Sequence, residues 1–385
     1  MNKHLHNSLR ALFLSMAVLL SLPMLAVKVT IDGISYDLDA ETKQVTVIEK
    51  SWGEYSGEVV IPESVPYNGS TYSVTSIGER AFRYCKGLTS VTIPNSVESI
   101  GEEAFFDCIN LTSVVLPNNL TRIERRTFYN CSSLNTITIP NTVRSIGVGA
   151  IYGCKSLNSI IISPSVTLIE EYAFQECTGL SSVHISDLTA WCNITFEKML
   201  SNPLYLAGHL FLNGKEIKDL IIPSGVTKIG YAGFCGGAGF TSVSIPNSVT
   251  SIGEWAFSYC SGLTSVTIGN GVTSIGGDAF SCCPELLDVY SYAENVPSTS
   301  SYAFYSSNYS NATLHVPDGS IESYKTIEPW SGFGKIVALT EEETSIDELK
   351  GENVNCITEI YDLSGRRVHK GQKGIFIQNG NVVVK

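Results

Sequence analysis

A 23-residue repeat runs through most of this chain and is the feature that most restricts its fold. One copy reads LTSVTIPNSVESIGEEAFFDC from Leu88. Its leading position recurs every 23 residues at Leu111, Leu134, Leu157 and Leu180. After an interruption it resumes at Phe240, Leu263 and Leu286. A copy this short cannot bury its own apolar face, so copies must stack on one another. The period therefore predicts a repeat solenoid over residues 59–286.

The pattern within one copy predicts two short strands and a turn. Val91 and Ile93 lie on one side of a strand and Thr92 on the other, because side chains alternate along a strand. Pro94 ends this strand, since it cannot donate to the ladder. The other inward residues are Val97, Ile100, Ala104, Phe105 and Cys108. The spacing of the last three favours one helical or 3₁₀ turn. We therefore expect a β-rich solenoid with short helical or 3₁₀ turns.

Eleven cysteines suggest a disulfide or metal framework until their positions are compared. Seven share one repeat position: Cys85, Cys108, Cys131, Cys154, Cys177, Cys260 and Cys283. A metal site needs cysteines paired at close spacing, which this register lacks. The pattern favours a column of buried thiols, although successive coils would also bring thiols within disulfide distance. The cysteines outside the column are Cys192, Cys235, Cys282 and Cys356.

The N-terminal residues resemble an export signal. Lys3 and Arg10 precede a nearly continuous apolar run at 12–22, and Ala26 offers a small residue for cleavage. This three-part layout is typical of a secretory signal peptide, predicted over residues 1–26. The apolar run is too short to cross a membrane comfortably, so we expect a mature chain without a transmembrane span.

Composition shifts at both ends of the repeat region predict further segments. An N-terminal β cap is expected at 27–58, where it would cover the open edge of the first coil. That coil carries an insertion whose Asn68-Gly69 pair predicts a hairpin turn. Beyond the repeats, the predicted segments are a C-terminal cap at 287–340, a linker at 341–356 and a small β module at 357–385.

One coil, at residues 187–219, departs from the repeat and is longer than the others. Asn213-Gly214 follows an apolar run and predicts a hairpin within it. Aromatic and imidazole rings concentrate here at Trp191, Phe196, Tyr205, His209 and Phe211. Two interpretations remain open at this point. The rings pack the enlarged coil, or they form a protruding loop that binds a ligand.

A second candidate surface is the outward position between the two inward residues of each strand. This position holds Thr92, Val115, Thr138, Ile161, His184, Ile221, Ser244 and Thr267 in successive strands. A merely solvated row should be polar, and Val115, Ile161 and Ile221 are not. An exposed apolar stripe indicates an interaction surface, whereas scattered surface aliphatics are ordinary. The predicted binding residues are Val115, Thr138, Ile161, His184, Trp191, His209, Phe211 and Ile221.

The repeat resembles the BspA-type leucine-rich repeats of bacterial surface proteins. The recurring SIG-x-x-AF-x-x-C phrase carries this resemblance from about residue 59 to 286. It implies a right-handed solenoid with a curved sheet and a role in adhesion or protein binding, commonly to host matrix proteins or other cells. It supplies no catalytic residues.

The C-terminal segment is similar to the sorting domains of type IX secretion in Gram-negative bacteria. Residues 360–368 read IYDLSGRRV and carry this likeness, although the segment is shorter than a full example. The resemblance implies a protein secreted from, or held at the outer surface of, a Gram-negative bacterium.

Charge and motif content limit the remaining function classes. The formal net charge is −12, and loss of Lys3 and Arg10 with the signal peptide gives 23 − 37 = −14. Nucleic acid and anionic membranes require a basic face, so neither is the expected partner. The chain carries no H-E-x-x-H, G-x-S-x-G or phosphate-loop motif. We therefore predict a protein or glycoprotein ligand, no enzyme activity, no cofactor and no metal. The alternatives are a structural surface protein without a dedicated ligand and, with acids paired across coils, a carbohydrate-active enzyme.

Overall fold

The structure, a computed structural model, describes residues 27–51 and 53–340 together with three backbone strands between 360 and 384. The predicted signal peptide at 1–26 and the predicted linker at 341–356 lie outside the described residues. The chain divides into two compact units, Met1–Leu180 and Ser181–Lys385, called unit 1 and unit 2 below. Each unit is a β-solenoid, and the predicted fold class is confirmed.

Unit 1 begins with a mixed sheet. Its first six strands are β1 (Val27–Ile31), β2 (Ile34–Asp39), β3 (Gln44–Val47), β4 (Ser56–Val60), β5 (Ser64–Tyr67) and β6 (Ser70–Ile77). Five of them pair in the order β1-β2-β3-β6-β5, antiparallel apart from the parallel pair β3 and β6. β5 and β6 form the hairpin that Asn68-Gly69 predicts, with φ values of 47° and 74° in the turn.

The repeats of unit 1 build parallel ladders. Their strands are β7 (Gly87–Thr92), β8 (Ser99–Ile100), β9 (Ser113–Val115), β10 (Arg122–Ile123), β11 (Ser145–Ile146), β12 (Ser159–Ile161) and β13 (Leu168–Ile169). In the first ladder β4, β7 and β9 pair in parallel, and single bridges at Ser113–Thr136 and Thr138–Ile161 continue the same register. In the second, β8 pairs with β6, and β10, β11 and β13 pair in order. Each repeat thus contributes one rung to each ladder.

Unit 2 repeats this arrangement after the irregular coil. Its strands are β14 (Ser182–Ile185), β15 (Thr195–Phe196), β16 (Leu210–Leu212), β17 (Lys215–Glu216), β18 (Asp219–Ile221), β19 (Lys228–Ile229), β20 (Ser242–Ile245), β21 (Ser251–Ile252), β22 (Ser265–Ile268), β23 (Ser274–Ile275), β24 (Asp288–Ser291), β25 (Ser298–Thr299), β26 (Thr313–Val316) and β27 (Lys335–Ala338). One parallel ladder runs β18-β20-β22-β24-β26-β27 and the other β19-β21-β23-β25.

Among the described residues, the assigned helices are short segments of unit 2. The α-helices are α1 (Leu188–Cys192), α2 (Leu204–Ala207) and α3 (Ile321–Tyr324), and the 3₁₀ helices span Met199–Ser201, Asn308–Ser310, Asp318–Ser320 and Trp330–Gly332. Near the C-terminus, β28 (Ile360–Asp362), β29 (Ile375–Gln378) and β30 (Asn381–Val384) form an antiparallel sheet within the predicted module at 357–385.

The turn that closes each repeat combines two sets of hydrogen bonds. In the repeat at 101–108, the amides of Ala104, Phe106 and Cys108 donate to carbonyls three residues earlier, as in a 3₁₀ turn. The intervening amides, including those of Glu103 and Asp107, donate to the next coil. Glu103 and Asp107 have φ values of 56° and 59°, so left-handed residues separate the turns and prevent a continuous helix.

The core consists of stacked identical side chains. Phe82, Phe105 and Phe128 stack nearly parallel, with successive ring centroids 5.0 and 5.3 Å apart. The column cysteines lie beside these rings. Apart from Cys85, each column thiol donates to the carbonyl of the residue 26 positions earlier, for example Cys131 Sγ to Phe105 O at 3.1 Å. The ten cysteines of the described part carry free thiols, and all are buried apart from the partly exposed Cys282. The predicted thiol column is confirmed there.

Candidate functional site

The outward row of unit 1 presents aliphatic side chains to solvent. Val115 is 67% exposed and Ile161 51% exposed, while Thr92 and Thr138 are exposed polar members of the same row. The ladder pairs Thr92 with Val115 and Thr138 with Ile161. These four predicted positions therefore lie in one register on one unit, with apolar and hydroxyl side chains alternating.

The alternation of side chains along a strand produces this exposure. Val114 and Leu116, the neighbours of Val115, are each 7% exposed and face the core. Ile160 and Ile162 are buried in the same way on either side of Ile161. Three consecutive aliphatic residues in a strand thus place the middle one in solvent, where several other repeats carry Thr or Ser.

The sequence analysis missed one member of the row. Val60 pairs with Thr92 and is 67% exposed, which makes it as accessible as Val115. The signal was present in the sequence, because Val59-Val60-Ile61-Pro62 repeats the segment at 91–94 despite the insertion that follows. The described row of unit 1 is therefore Val60, Thr92, Val115, Thr138 and Ile161, called the outward row below.

In unit 2 the corresponding positions carry aromatic rings. His184 pairs with Phe211 in the parallel ladder of β14 and β16, and their rings stack with centroids 4.7 Å apart. His184 Nε2 lies 3.1 Å from Ser182 Oγ. Ile221 is 42% exposed and pairs with Ser244 on β20. The structure thus brings His184 and Phe211 into contact, while Ile221 belongs to the separate ladder that starts at β18.

Trp191 is a correction to the predicted site. It is 1% exposed, its indole Nε1 donates to Gly233 O at 3.0 Å, and its ring contacts Phe196. Asp187 caps α1 by accepting from the Ala190 amide, which turns Trp191 into the core of the enlarged coil. The packing interpretation therefore describes this ring, which is too buried to contact a ligand.

The hairpin of the irregular coil exposes a polar pair. β16 and β17 pair antiparallel around Asn213-Gly214, as predicted. His209 Nδ1 lies 2.7 Å from Glu216 Oε1, and both groups are accessible. The hydrogen bond from His209 lowers the pKa of Glu216, with a smaller contribution from the charge of Lys218. This pair lies at the surface of unit 2.

A buried carboxylate anchors the turn face of unit 1. The Glu103 side chain is 6% exposed and faces Arg80 Nε at 3.0 Å, Arg83 Nη1 at 3.4 Å and Arg126 Nη1 at 3.6 Å. Burial alone would raise its pKa, but these three guanidinium groups hold the pKa below its usual value. Because the buried Glu103 carboxylate is paired with guanidinium groups of the same turn face, we assign this cluster to stability.

Within residues 27–51 and 53–340, no group of three His, Cys, Asp or Glu residues is arranged to hold a metal ion. His184, His209 and His315 each pair locally, with Ser182, Glu216 and Asp288. His369 lies outside the described residues.

Comparison with known families identifies the repeat. The model of the BspA-type leucine-rich repeat region, which comprises six copies, matches residues 75–202 and 205–325. This chain belongs to the BspA-type leucine-rich repeat family. The match takes in repeats of both units and the irregular coil apart from residues 203 and 204, so the resemblance inferred from the SIG-x-x-AF-x-x-C phrase is confirmed. No curated protein matches the chain.

Solved structures of bacterial leucine-rich repeat proteins are also similar. A leucine-rich cell surface protein from Faecalibacterium prausnitzii is 22% identical, with 83% of this chain and 97% of that chain covered and a TM-score of 0.41. A leucine-rich repeat protein from Bacteroides ovatus is 25% identical, with 81% and 100% covered and a TM-score of 0.39. The pneumococcal vaccine antigen PcpA is 15% identical, with 82% and 99% covered and a TM-score of 0.45.

The helices of the described residues are all short. None of them combines the length and the apolar character that a bilayer crossing requires.

Proposed function

We propose that this member of the BspA-type family is exported, acts at or outside the bacterial surface, and binds a protein or glycoprotein partner without catalysing a reaction. The observation that carries the proposal is the outward row of unit 1. Val60, Val115 and Ile161 expose most or half of their side chains on a ladder where Thr and Ser would suffice for solubility. Burying such a stripe against a partner is favourable by about 25 cal/mol for each Å² removed from water.

The alternation of the row supports recognition by shape as well as by burial. Thr92 and Thr138 place hydroxyl groups between the aliphatic side chains. A partner that covers the row must therefore match apolar contacts and hydrogen-bonding groups in turn, which favours a folded protein surface over a lipid surface. The acidic net charge of −12 also disfavours nucleic acid.

The family and its relatives support the same assignment. The protein from Faecalibacterium prausnitzii is described as a leucine-rich cell surface protein, and PcpA is a pneumococcal vaccine antigen. Host matrix proteins and other cells are the partners that we propose to test first.

Export is part of the proposal and rests on the two chain ends. Residues 1–26 have the layout of a signal peptide, and the segment at 357–385 is similar to a type IX sorting domain. We expect the full-length protein at the outer surface of a Gram-negative cell. A chain that lacks residues 357–385 should leave the surface and appear in the medium or periplasm. Surface labelling of intact cells measures this, and unchanged display of the truncated chain would show that the segment is not a sorting signal.

The binding surface is tested by replacing Val115 and Ile161 with Ser. Both side chains are exposed, so we expect a change in the free energy of unfolding of only about 0.5 kcal/mol. Binding to immobilised matrix proteins and mucin should weaken about tenfold, because the apolar centre of the stripe is lost. Surface plasmon resonance measures the dissociation constants of the unaltered protein and of the double variant.

The matched control is Leu287→Ser, which removes an exposed aliphatic side chain that lies outside the outward row. It should bind like the unaltered protein. If the unaltered protein, the Val115→Ser, Ile161→Ser variant and the Leu287→Ser control bind equally, the outward row is not the binding surface. If the unaltered protein binds none of the immobilised proteins, a structural role without a dedicated ligand is favoured. His184, His209, Phe211 and Ile221 of unit 2 remain proposed contacts, to be tested by the same measurement with Phe211→Ser and Ile221→Ser.

A further inference from the structure

Basic residues are absent from a long part of unit 2. Residues 229–324 contain no Lys or Arg, whereas they contain the carboxylates Glu254, Asp278, Glu285, Asp288, Glu294, Asp318 and Glu322. This stretch spans several coils and part of the C-terminal segment, and no Lys or Arg within it offsets these carboxylates. Unit 1 differs, since Arg80, Arg83 and Arg126 neutralise its acids on the turn face. An unneutralised acidic surface attracts a cationic partner over a range of about 8 Å at physiological salt.

Aromatic side chains gather on the turn face of this acidic part. The rings of Trp255 and Tyr259 are nearly parallel, with centroids 6.5 Å apart, and Tyr205 meets Tyr259 edge-on at 5.7 Å. Tyr259 is 40% exposed, and the other two rings are half-buried. Glu254 is exposed and accepts a hydrogen bond from Trp255 Nε1 at 3.1 Å. Rings and a carboxylate thus share one surface, called the aromatic face below.

The backbone accepts glycine at the positions of Trp255 and Tyr259. Their φ values are 60° and 59°, in the left-handed region that favours glycine. Gly149, Gly153 and Gly236 occupy equivalent turn positions of other repeats with φ values of 59°, 70° and 81°, while further repeats carry polar or aromatic side chains there. The turn therefore requires a ring at neither position, and replacing both rings with glycine should preserve the backbone.

We propose that the aromatic face binds a basic polypeptide segment, with a Lys or Arg side chain held over the rings of Trp255 and Tyr259 and paired with the Glu254 carboxylate. This surface lies on unit 2, and its assignment goes beyond the outward row and does not depend on it. The flat negative face of an aromatic ring attracts a cation, and the attraction increases when the cation is partly desolvated between rings. The indole hydrogen bond orients Glu254 toward the same place, where it supplies the opposite charge.

The chemistry favours a cationic segment over an apolar one. Tyr205 and Tyr259 carry hydroxyl groups, and the surrounding charges are acidic, so an apolar partner would have to desolvate them without compensation. Tyr302 and Tyr305 are both exposed two coils further on, and their rings meet edge-on at 6.2 Å. They give an extended segment further rings on which a second basic side chain can rest.

A fluorescent ten-residue peptide of alternating Arg and Gly, added to the full chain, tests the proposal by fluorescence anisotropy. A peptide with Gln in place of Arg is the neutral probe. We expect the Arg peptide to bind, to lose affinity as salt is raised, and to bind at least fivefold more weakly to the Trp255→Gly, Tyr259→Gly double variant. Glycine fits the left-handed turn, so circular dichroism and the urea midpoint should show a fold as stable as the original or more stable. Glu254→Gln should weaken binding and reduce its salt dependence.

The matched control is the Tyr172→Gly, Glu176→Gly double variant of unit 1. These residues have φ values of 60° and 62° at the same turn positions, and the change removes a ring and, in addition, a carboxylate. If net charge alone attracted the Arg peptide, the control variant would bind it more weakly than the test variant does. The proposal predicts the reverse, with the control and the Val115→Ser, Ile161→Ser protein binding the Arg peptide like the original. Equal affinity of the test variant and the original, or equal binding of the Gln peptide, would overturn it.

Discussion

At the scale of single residues, the column cysteines act as small apolar side chains that also donate a hydrogen bond. Cys108 Sγ lies 2.9 Å from Phe82 O, and Cys154 Sγ lies 3.3 Å from Phe128 O. Each of these carbonyls also accepts from the amide of the cysteine three residues later, so the thiol supplies a second donor to the same buried acceptor. Ser307 continues the column after Cys283 and donates in the same way to Phe280 O.

Thiol labelling in the native state is the prediction for this scale. Burial raises the pKa of Cys85 to about 11 and that of Cys283 to about 12, and it raises the pKa of Cys108, Cys154 and Cys260 as well. A buried, protonated thiol is a poor nucleophile. We expect a disulfide reagent to label the native Cys282→Ser, Cys356→Ser protein only over hours, and the denatured protein at once. Rapid labelling of the native variant would contradict a sealed column.

At the scale of one structural element, the repeat at 229–240 lacks the column thiol and compensates for it. Gly237 occupies the column position, three residues before Phe240, which stands where other repeats carry Leu. A Cβ atom on Gly237 would lie 2.2 Å from Phe240 Cε2. The larger ring thus fills the volume of the absent thiol, and the two departures from the repeat depend on each other.

A double-mutant cycle tests this dependence. Gly237→Cys alone should lower the free energy of unfolding by about 1–3 kcal/mol, because the core is already filled. Phe240→Leu alone should also be destabilising, because it leaves a cavity. The double variant restores the ordinary repeat and should recover most of the loss, with a coupling of about 1–3 kcal/mol in urea unfolding. Additive effects would show that the two positions are independent.

At the scale of the whole molecule, charge is segregated along the sequence. No arginine occurs from 145 to 365, whereas Arg80, Arg83, Arg122, Arg125, Arg126 and Arg144 all lie within three repeats. Unit 1 uses these residues in ion pairs, such as Arg122 Nη2 with Glu170 Oε1 at 2.8 Å. The repeats therefore share a core pattern while their surfaces differ in charge, which allows different partners for the outward row and the aromatic face.

The summed burial of thiols and phenols predicts how stability depends on pH. Burial raises the pKa of Tyr36 and Tyr324 to about 12, in the same direction as the column thiols. In the unfolded chain the thiols ionise near their ordinary value of 9.0, while the folded chain keeps its protons. This stabilisation is therefore complete below pH 9 and is lost as the pH rises through the folded-state values. Each such group lowers the free energy of unfolding by about 1.4 kcal/mol per pH unit. Urea midpoints under reducing conditions should be equal near neutrality and fall steeply by about pH 10, and an unchanged midpoint there would refute the prediction.

The sequence predicted the core because each repeat carries the same types of inward residue at the same positions. Val91, Phe105 and Cys108 have equivalents one period away in many copies, so their inward orientation follows from the period and from side-chain alternation alone. The same regularity predicted the parallel ladders, the thiol column and the hairpins at Asn68-Gly69 and Asn213-Gly214. For the candidate site it predicted that Val115 and Ile161 face outward, and the register of Val60 was open to the same reasoning.

Only the tertiary structure decided what lies outside the period. Trp191 is buried and Tyr259 is exposed, although both are aromatic residues in the same unit. The difference depends on contacts between distant segments, such as Trp191 with Gly233 and Tyr205 with Tyr259. Composition and spacing do not encode such pairs, because each is formed by one irregular segment against one particular coil. The repeat determined the core and the direction of every regular side chain, and these unrepeated contacts determined which rings reach the surface.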